Sequence, residues 1–415
     1  MPSLVELPPE MIEAIAMRLP SEDLFNLRLT CVDLDAKSFH HFTETYFKAK
    51  QFMYSRYALD ALVKMSKSRL GHYVRVLALG PQFSQHGFYE KGIAKKVEDK
   101  TLRWVNEYEE ENRDMEHNGL DNLMLHEALQ NMPNCEEIEF RDYSLMDYGM
   151  DSFGEASVNK NVGQAFVDLR QPNSFHSLPR AFTLTLNAAQ AARLRIKSVT
   201  VQVTHVYEYS QSAFEFPRPQ NELDTFTFIH LRVLKIPIDN NYPQTTEGNL
   251  LRRYTDFLAY TPQLRLLGLT FLSCWDTADI LDGLISASLR NLAELEVAFM
   301  DISEDELLEP ILRLAPTLRS LRIASVSLQA GSWQSVFGQL RDHMCLTKIE
   351  IECVQHVSQF KYLGTDMETR YSEETEICYD GPNMTHFLNS LVSSIIGVDG
   401  NEGSLAGIDP CYFVI

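Results

Sequence analysis

Several stretches of this chain carry residue types that chemistry needs, but lack the partners that would complete them. Gly87-x-x-x-x-Gly92 has the spacing of a phosphate-gripping loop, yet Ile93 and Ala94 stand where a Lys and a Ser or Thr would hold phosphate and magnesium. His126-Glu127 opens like a zinc-protease helix, but Gln130 sits where the second His ligand belongs. His40 and His41 are adjacent, so a helix would turn their rings to different sides. No G-x-S-x-G elbow, kinase signature or dinucleotide fingerprint is present. The seven cysteines, Cys31, Cys135, Cys274, Cys345, Cys353, Cys378 and Cys411, are odd in number, scattered and free of any C-x-x-C pair. That pattern predicts reduced core thiols rather than a disulfide frame or a zinc site. The expectation is a chain with no catalytic residue, no metal and no cofactor. An enzyme stays open as the alternative only if His, Asp or Cys side chains converge in three dimensions.

Function must then lie in surfaces and in the elements that build them. With 415 residues, 45% of them hydrophobic, the chain can fold one small module and one large body. A net charge of −20 argues against a nucleic-acid partner, whose phosphates it would repel. Residues 106–155 concentrate that charge, with fifteen acidic residues against Arg113 and Arg141, a local −13. No signal peptide is expected near Met1, because Pro2, Glu6, Pro8 and Pro9 interrupt the segment. The most apolar stretch, Leu266 to Trp275, is well short of the ~20 residues that cross a bilayer. The expected location is the cytoplasm, the nucleus or both, with no membrane partner.

Residues 1–46 read as three short helices. Pro8 and Pro9 suit a helix start, and Ile12, Ile15, Ala16 and Leu19 fall on one face before Pro20 stops the run. Ser21 is expected to cap a second helix whose first turn holds Glu22 and Asp23, and Thr30 a third running through Leu34, Phe39 and Phe42. The second helix carries Leu24 and Leu27 on one stripe and Phe25 and Leu29 on another, more apolar surface than three short helices can bury. Such a module needs a partner.

The string Leu7-Pro8-x-Glu10-x-Ile12-x-x-Ile15, then Leu19-Pro20-x-x-Asp23-Leu24-x-x-Leu27-Arg28-Leu29-x-Cys31, resembles the F-box, and Leu29-Thr30-Cys31 with Phe39-His40-His41-Phe42 is similar to fungal forms of it. The Trp common in this family after the third helix begins is missing; the first Trp is Trp104. The resemblance covers about a tenth of the chain. It implies docking on a Skp-type adaptor and, through it, on a cullin–RING ubiquitin ligase, with Leu7, Pro8, Ile12, Leu19, Pro20, Leu24 and Leu27 serving either the adaptor contact or the module core.

Beyond a helical linker at 47–73, the body shows a degenerate repeat. An apolar-x-x-apolar-x-apolar template recurs at Val74/Leu77/Leu79, Cys135/Ile138/Phe140, Ile196/Val199/Val201, Leu231/Leu234/Ile236, Leu264/Leu267/Leu269, Leu292/Leu295/Val297, Leu318/Leu321/Ile323 and Leu346/Ile349/Ile351. Starts lie 61, 61, 35, 33, 28, 26 and 28 residues apart. Pro133, Pro262 and Pro316 end preceding helices, and Ser303-x-x-Glu306 forms a capping box. Units of helix, turn and short strand cannot bury their apolar faces alone, so they should stack into a parallel sheet. The fold class expected is α/β: an F-box followed by a leucine-rich-repeat-like solenoid at 74–360. Insertions are expected at 84–132, with helices around Val97–Met115 and from Leu120, and at 142–180, an exposed loop rich in Gly and Pro. An acidic tail at 361–415 should hold a loop at Asp366–Asp380 and a capping helix near Phe387–Ile396.

Alternation along each strand places Glu137, Glu139 and Arg141, then Lys235, Glu294, Glu296, Arg322, Lys348, Glu350 and Glu352 on an outward wall, suited to a protein target with basic residues. The functional expectation is a substrate-recognition subunit of a Skp–cullin–F-box ligase. A non-degradative interaction scaffold fits the same residues.

Overall fold

A computed structural model describes residues 3–80, 99–141, 152–162, 177–202, 214–217, 226–238, 250–271, 277–286, 289–352, 354–356, 361–362 and 376–395. The chain divides into two compact units, Met1–Arg170 and Gln171–Ile415.

The first unit begins with helices α1 (Pro9–Ala16), α2 (Ser21–Thr30) and α3 (Val32–Tyr46). Pro9 occupies the first turn of α1, where a missing amide donor costs nothing. Ile12, Ala16, Leu24 and Leu34 are buried and, with Tyr46, form the module's core. Two cap assignments differ from expectation. Pro20, not Ser21, precedes α2, and extended Cys31 precedes α3, because the Thr30 hydroxyl donates to the Leu27 carbonyl at 2.6 Å and so closes α2 instead.

The expected helical linker at 47–73 is partly strand. Strand β1 (Ala49–Phe52) starts directly after α3 and is followed by α4 (Arg56–Ser66), which Ser55 caps. Strands β2 (Val76–Leu79) and β3 (Glu137–Arg141) run parallel to β1 in chain order. Helices α5 (Asp99–His117) and α6 (Leu120–Gln130) fill the expected insertion at 84–132; its residues 84–98 lie outside those described. Of the segment expected as an exposed loop at 142–180, residues 142–151 and 163–176 lie outside those described, and the described part departs from the expectation. Phe153 pairs with the free edge of β1, donating to the Gln51 carbonyl at 2.9 Å and accepting from Met53 at 3.0 Å, and α7 (Glu155–Val162) follows. Gly154, read as loop punctuation, is a single turn at φ +106°, and Ser152, Glu155 and Val158 are buried around it. The bridge occupies the Gln51–Met53 end of that sheet edge.

The second unit holds α8 (Ser177–Ala191), β4 (Ser198–Gln202), β5 (Val233–Ile238), α9 (Leu250–Ala259), β6 (Leu266–Phe271), α10 (Thr277–Ile285), β7 (Glu294–Ile302), α11 (Glu304–Arg313), β8 (Ser320–Leu328), α12 (Trp333–His343) and β9 (Lys348–Glu352). Strands β4 to β9 succeed each other in parallel and in chain order. The register aligns the template: Val199, Leu234, Leu267, Leu295, Leu321 and Ile349 stand side by side, and all six are buried. The capping box forms, with Glu306 accepting from the Ser303 amide at 2.9 Å.

Past β9, β10 (Gln355–His356) continues along β8 and pairs with β11 (Lys361–Tyr362). Strand β12 (Glu376–Asp380), within the expected loop, runs antiparallel to β9, and α13 (Met384–Ile395) packs its buried Phe387, Leu388 and Leu391 beside α12. The acidic stretch 366–375 and the end of the chain lie outside the described residues.

Both units are therefore α/β, built on mostly parallel strands joined by helices.

Candidate functional site

Among the described residues no group of three or more His, Cys, Asp or Glu could hold a metal ion, and no helix is long and apolar enough to cross a membrane. Gly87, Gly92, Ile93 and Ala94 lie outside those residues. His40 faces Glu13 and His41 faces Thr45, so the pair diverges as its spacing predicts. Burial pushes the Cys135 thiol up to about 12, which leaves it protonated and unreactive.

Two surfaces stand out. The first is on the three-helix module. Leu29 and Val32 are 84% and 83% exposed, and Met11, Met17 and Phe25 are exposed as well. Leu29, Val32 and Phe25, with Arg28, Cys31, Asp35 and Phe42, line a groove of about 540 Å³ between α2 and α3. Arg28 lies 3.2 Å over the Phe42 ring while its Nε donates to Asp35 at 2.9 Å, so the groove has apolar walls and an internally paired charge. Burial acts to raise the Asp35 carboxyl, but hydrogen bonds from Arg69 and Arg28 outweigh it and hold the group below the usual carboxylate range.

The residues singled out from the motif divide by burial. Ile12 and Leu24 are wholly inside the module; Leu7, Leu19 and Leu27 are half-buried; Pro8 and Pro20 are exposed. Lys37 holds the entry segment down by donating to the Val5 and Leu7 carbonyls at 2.6 and 2.8 Å. Motif matching favours positions that recur, and so missed Met11, Met17 and Val32. The second apolar stripe of α2 had already pointed to Phe25 and Leu29.

The second surface is the outward face of the strands. In the first unit it is closed: Gln51, Ala78 and Arg141 are 5%, 0% and 7% exposed. Arg141 is thus not the accessible wall residue expected. It pairs with Glu139 at 2.9 Å, while Gln51 and Ser152 donate to the Gly80 carbonyl beside it. Gly80 is required there, since a Cβ would come within 1.8 Å of the Arg141 carbonyl oxygen. Glu137 and Glu139 are half-buried on the same strand.

In the second unit the outward face is open but already paired. Register sets Lys235, Gly268, Glu296, Arg322 and Glu350 in one row, one per strand from β5 to β9. Lys235 reaches across Gly268 to Glu296 at 2.8 Å; Arg322 meets Glu352 at 2.7 Å and Glu350 at 3.6 Å; Lys348 meets Glu350 at 2.5 Å. The bridge over β6 exists because Gly268 has no side chain: a Cβ would sit 2.9 Å from Lys235 Cγ. Burial acts to raise the Glu350 carboxyl, yet Lys348, Arg322 and the Cys378 thiol together hold it below the ordinary glutamate value. Of these wall carboxylates only Glu294 is exposed, and it has no ion pair among the described residues. The acidic wall expected from sequence is therefore a ladder of alternating sign, whose attraction for basic groups is spent internally.

Two results check this arrangement. Gly268→Ala should push Lys235 aside and break its bridge, a partly exposed pair worth up to ~1 kcal/mol. The shift in urea midpoint should shrink when the same change is made in a Lys235→Ala chain, where only the Lys235 Cβ and Glu296 remain near the new methyl group. Glu350 bears on pH. Because its folded pKa is depressed, its contribution to stability is complete above the ordinary glutamate range and is lost as pH falls through the folded value. Wild type and Glu350→Gln should thus differ in stability at neutral pH, begin to converge below the unperturbed glutamate pKa of about 4.3, and meet only once pH has fallen below the depressed folded value. A difference unchanged at acid pH would show that Glu350 is not held by these charges.

No protein-family model matches the chain, and no curated protein is found similar to it.

Proposed function

We propose that the chain is a non-catalytic substrate receptor of a Skp–cullin–F-box ubiquitin ligase. Residues 1–46 would dock on the adaptor as an F-box. The repeating strand-and-helix units would form a leucine-rich-repeat-like solenoid that presents a protein target. The observation carrying the reading is the groove between α2 and α3, where Leu29, within the F-box-like string, and Val32, directly after Cys31, are left largely exposed. Isolated large apolar side chains are common on surfaces, but a cluster lining a groove marks a docking site.

A target would be held on the open outward face of β5 to β9. Since its charges are paired, a basic target gains little from the wall's net sign, and the partner must offer shape and polar contacts to Glu294 and the half-buried Val233 and Leu266. The reading is tested by co-expressing the full chain with a Skp-type adaptor and a cullin. Co-purification of a stoichiometric complex is expected; absence of any complex removes the proposal. Ubiquitin transfer to co-purifying proteins separates a receptor from a scaffold that binds the adaptor without promoting transfer.

A further inference from the structure

We infer that Asp35, gripped by Arg28 and Arg69 together, locks the three-helix module onto the strands of the first unit, so that groove and strands hold one fixed orientation. In its use the inference rests on the docking reading; in its mechanics it does not. Arg28 belongs to α2, Asp35 to α3, and Arg69 to the turn between α4 and β2, so one carboxylate ties together two helices of the module and the body behind them. Arg69 donates to Asp35 at 2.6 Å and Arg28 at 2.5 Å, each to a different carboxylate oxygen.

Rings reinforce the same seam. The Arg69 guanidinium lies 3.9 Å from the centroid of Phe39, and Phe39 meets Tyr73 edge-on at 5.4 Å. Guanidinium groups stacked on rings while bonded to a carboxylate lose little freedom on pairing, so the seam is stiffer than an exposed ion pair. The connection from α3 to the sheet leaves no slack. The amides of Phe47 and Lys48 both donate to the Thr43 carbonyl, and the Lys48 carbonyl accepts from Arg75 and Val76 at 2.8 and 2.9 Å. One end of α3 is thus held by the sheet, and the Asp35 clamp holds the other. Without the clamp the helix could pivot on its sheet end.

Spin-label amino acids at exposed Met17, directly after α1, and at Leu123 on α6 report the angle between module and body within the full chain. Wild type should give a narrow distance distribution. Arg69→Ala, which lies outside the groove, should broaden or shift it, with near-native circular dichroism and adaptor capture retained. Asp35→Asn, which keeps the side chain's size, should broaden it as well. Distributions as narrow in both variants as in wild type would overturn the lock. If wild type captures no adaptor, the docking reading fails, while the distances still decide whether the clamp fixes the module.

Discussion

Truncating Leu267, Leu295 or Leu321 to Ala should cost about 2–5 kcal/mol each, the range for removing a buried leucine and leaving a cavity. These three residues are 0%, 1% and 0% exposed and stand side by side on β6, β7 and β8. In a parallel sheet whose one face is packed by helices, no solvent can fill the space that the three lost carbons leave. The neighbours cannot close it cheaply either, since each template leucine is pinned between strands on both sides. Leu123→Ala is the matched control: the side chain is 63% exposed on α6, and its loss should move stability by less than ~0.5 kcal/mol. The check is a urea series at fixed temperature with the slope compared between variants. Three buried-leucine variants unfolding at the wild-type midpoint would refute the register.

How far such a register could be read from sequence depends on what repeats. All eight copies of the template are buried at all three positions; alternation puts the second and third residues on one face of each strand, and the first lies just upstream of the strand. Strand β1 was not legible, since Ala49-Lys50-Gln51-Phe52 carries no apolar alternation and takes its strand form from pairing with β2. The segment around Phe153 failed for a related reason. Its glycine and polar neighbours look like loop, and only the long-range pairing to Gln51 and Met53 makes it an edge cover. Alternation places the wall residues of the second unit in the rows that the strand register shows, but their pairing was not visible. Lys235 and Glu296 are 61 positions apart and meet only because β6 places a glycine between them. Charge counts along a chain cannot report such cancellation.

The groove supplies the other large effect. Leu29→Asp and Val32→Asp should each abolish capture by a Skp-type adaptor, at least about a hundredfold loss, because fully burying such a side chain in an interface contributes ~1.5–3 kcal/mol and a carboxylate there adds a desolvation cost. Both residues are over four-fifths exposed in the free chain, so neither change removes a packing contact of consequence, and melting temperature should hold. Leu24→Asp would also abolish capture, yet it cannot discriminate. Leu24 is 1% exposed in the core of the module, and a buried carboxylate there would unfold α2 with or without any partner. The informative comparison is thus between exposed and buried leucines of one helix. Loss of capture with an unchanged melt at Leu29 and Val32 marks a docking face. If wild type binds the adaptor and both exposed variants bind it equally well, docking uses another face of the module, and the exposed Met11 and Met17 of the α1 region become the residues to reverse.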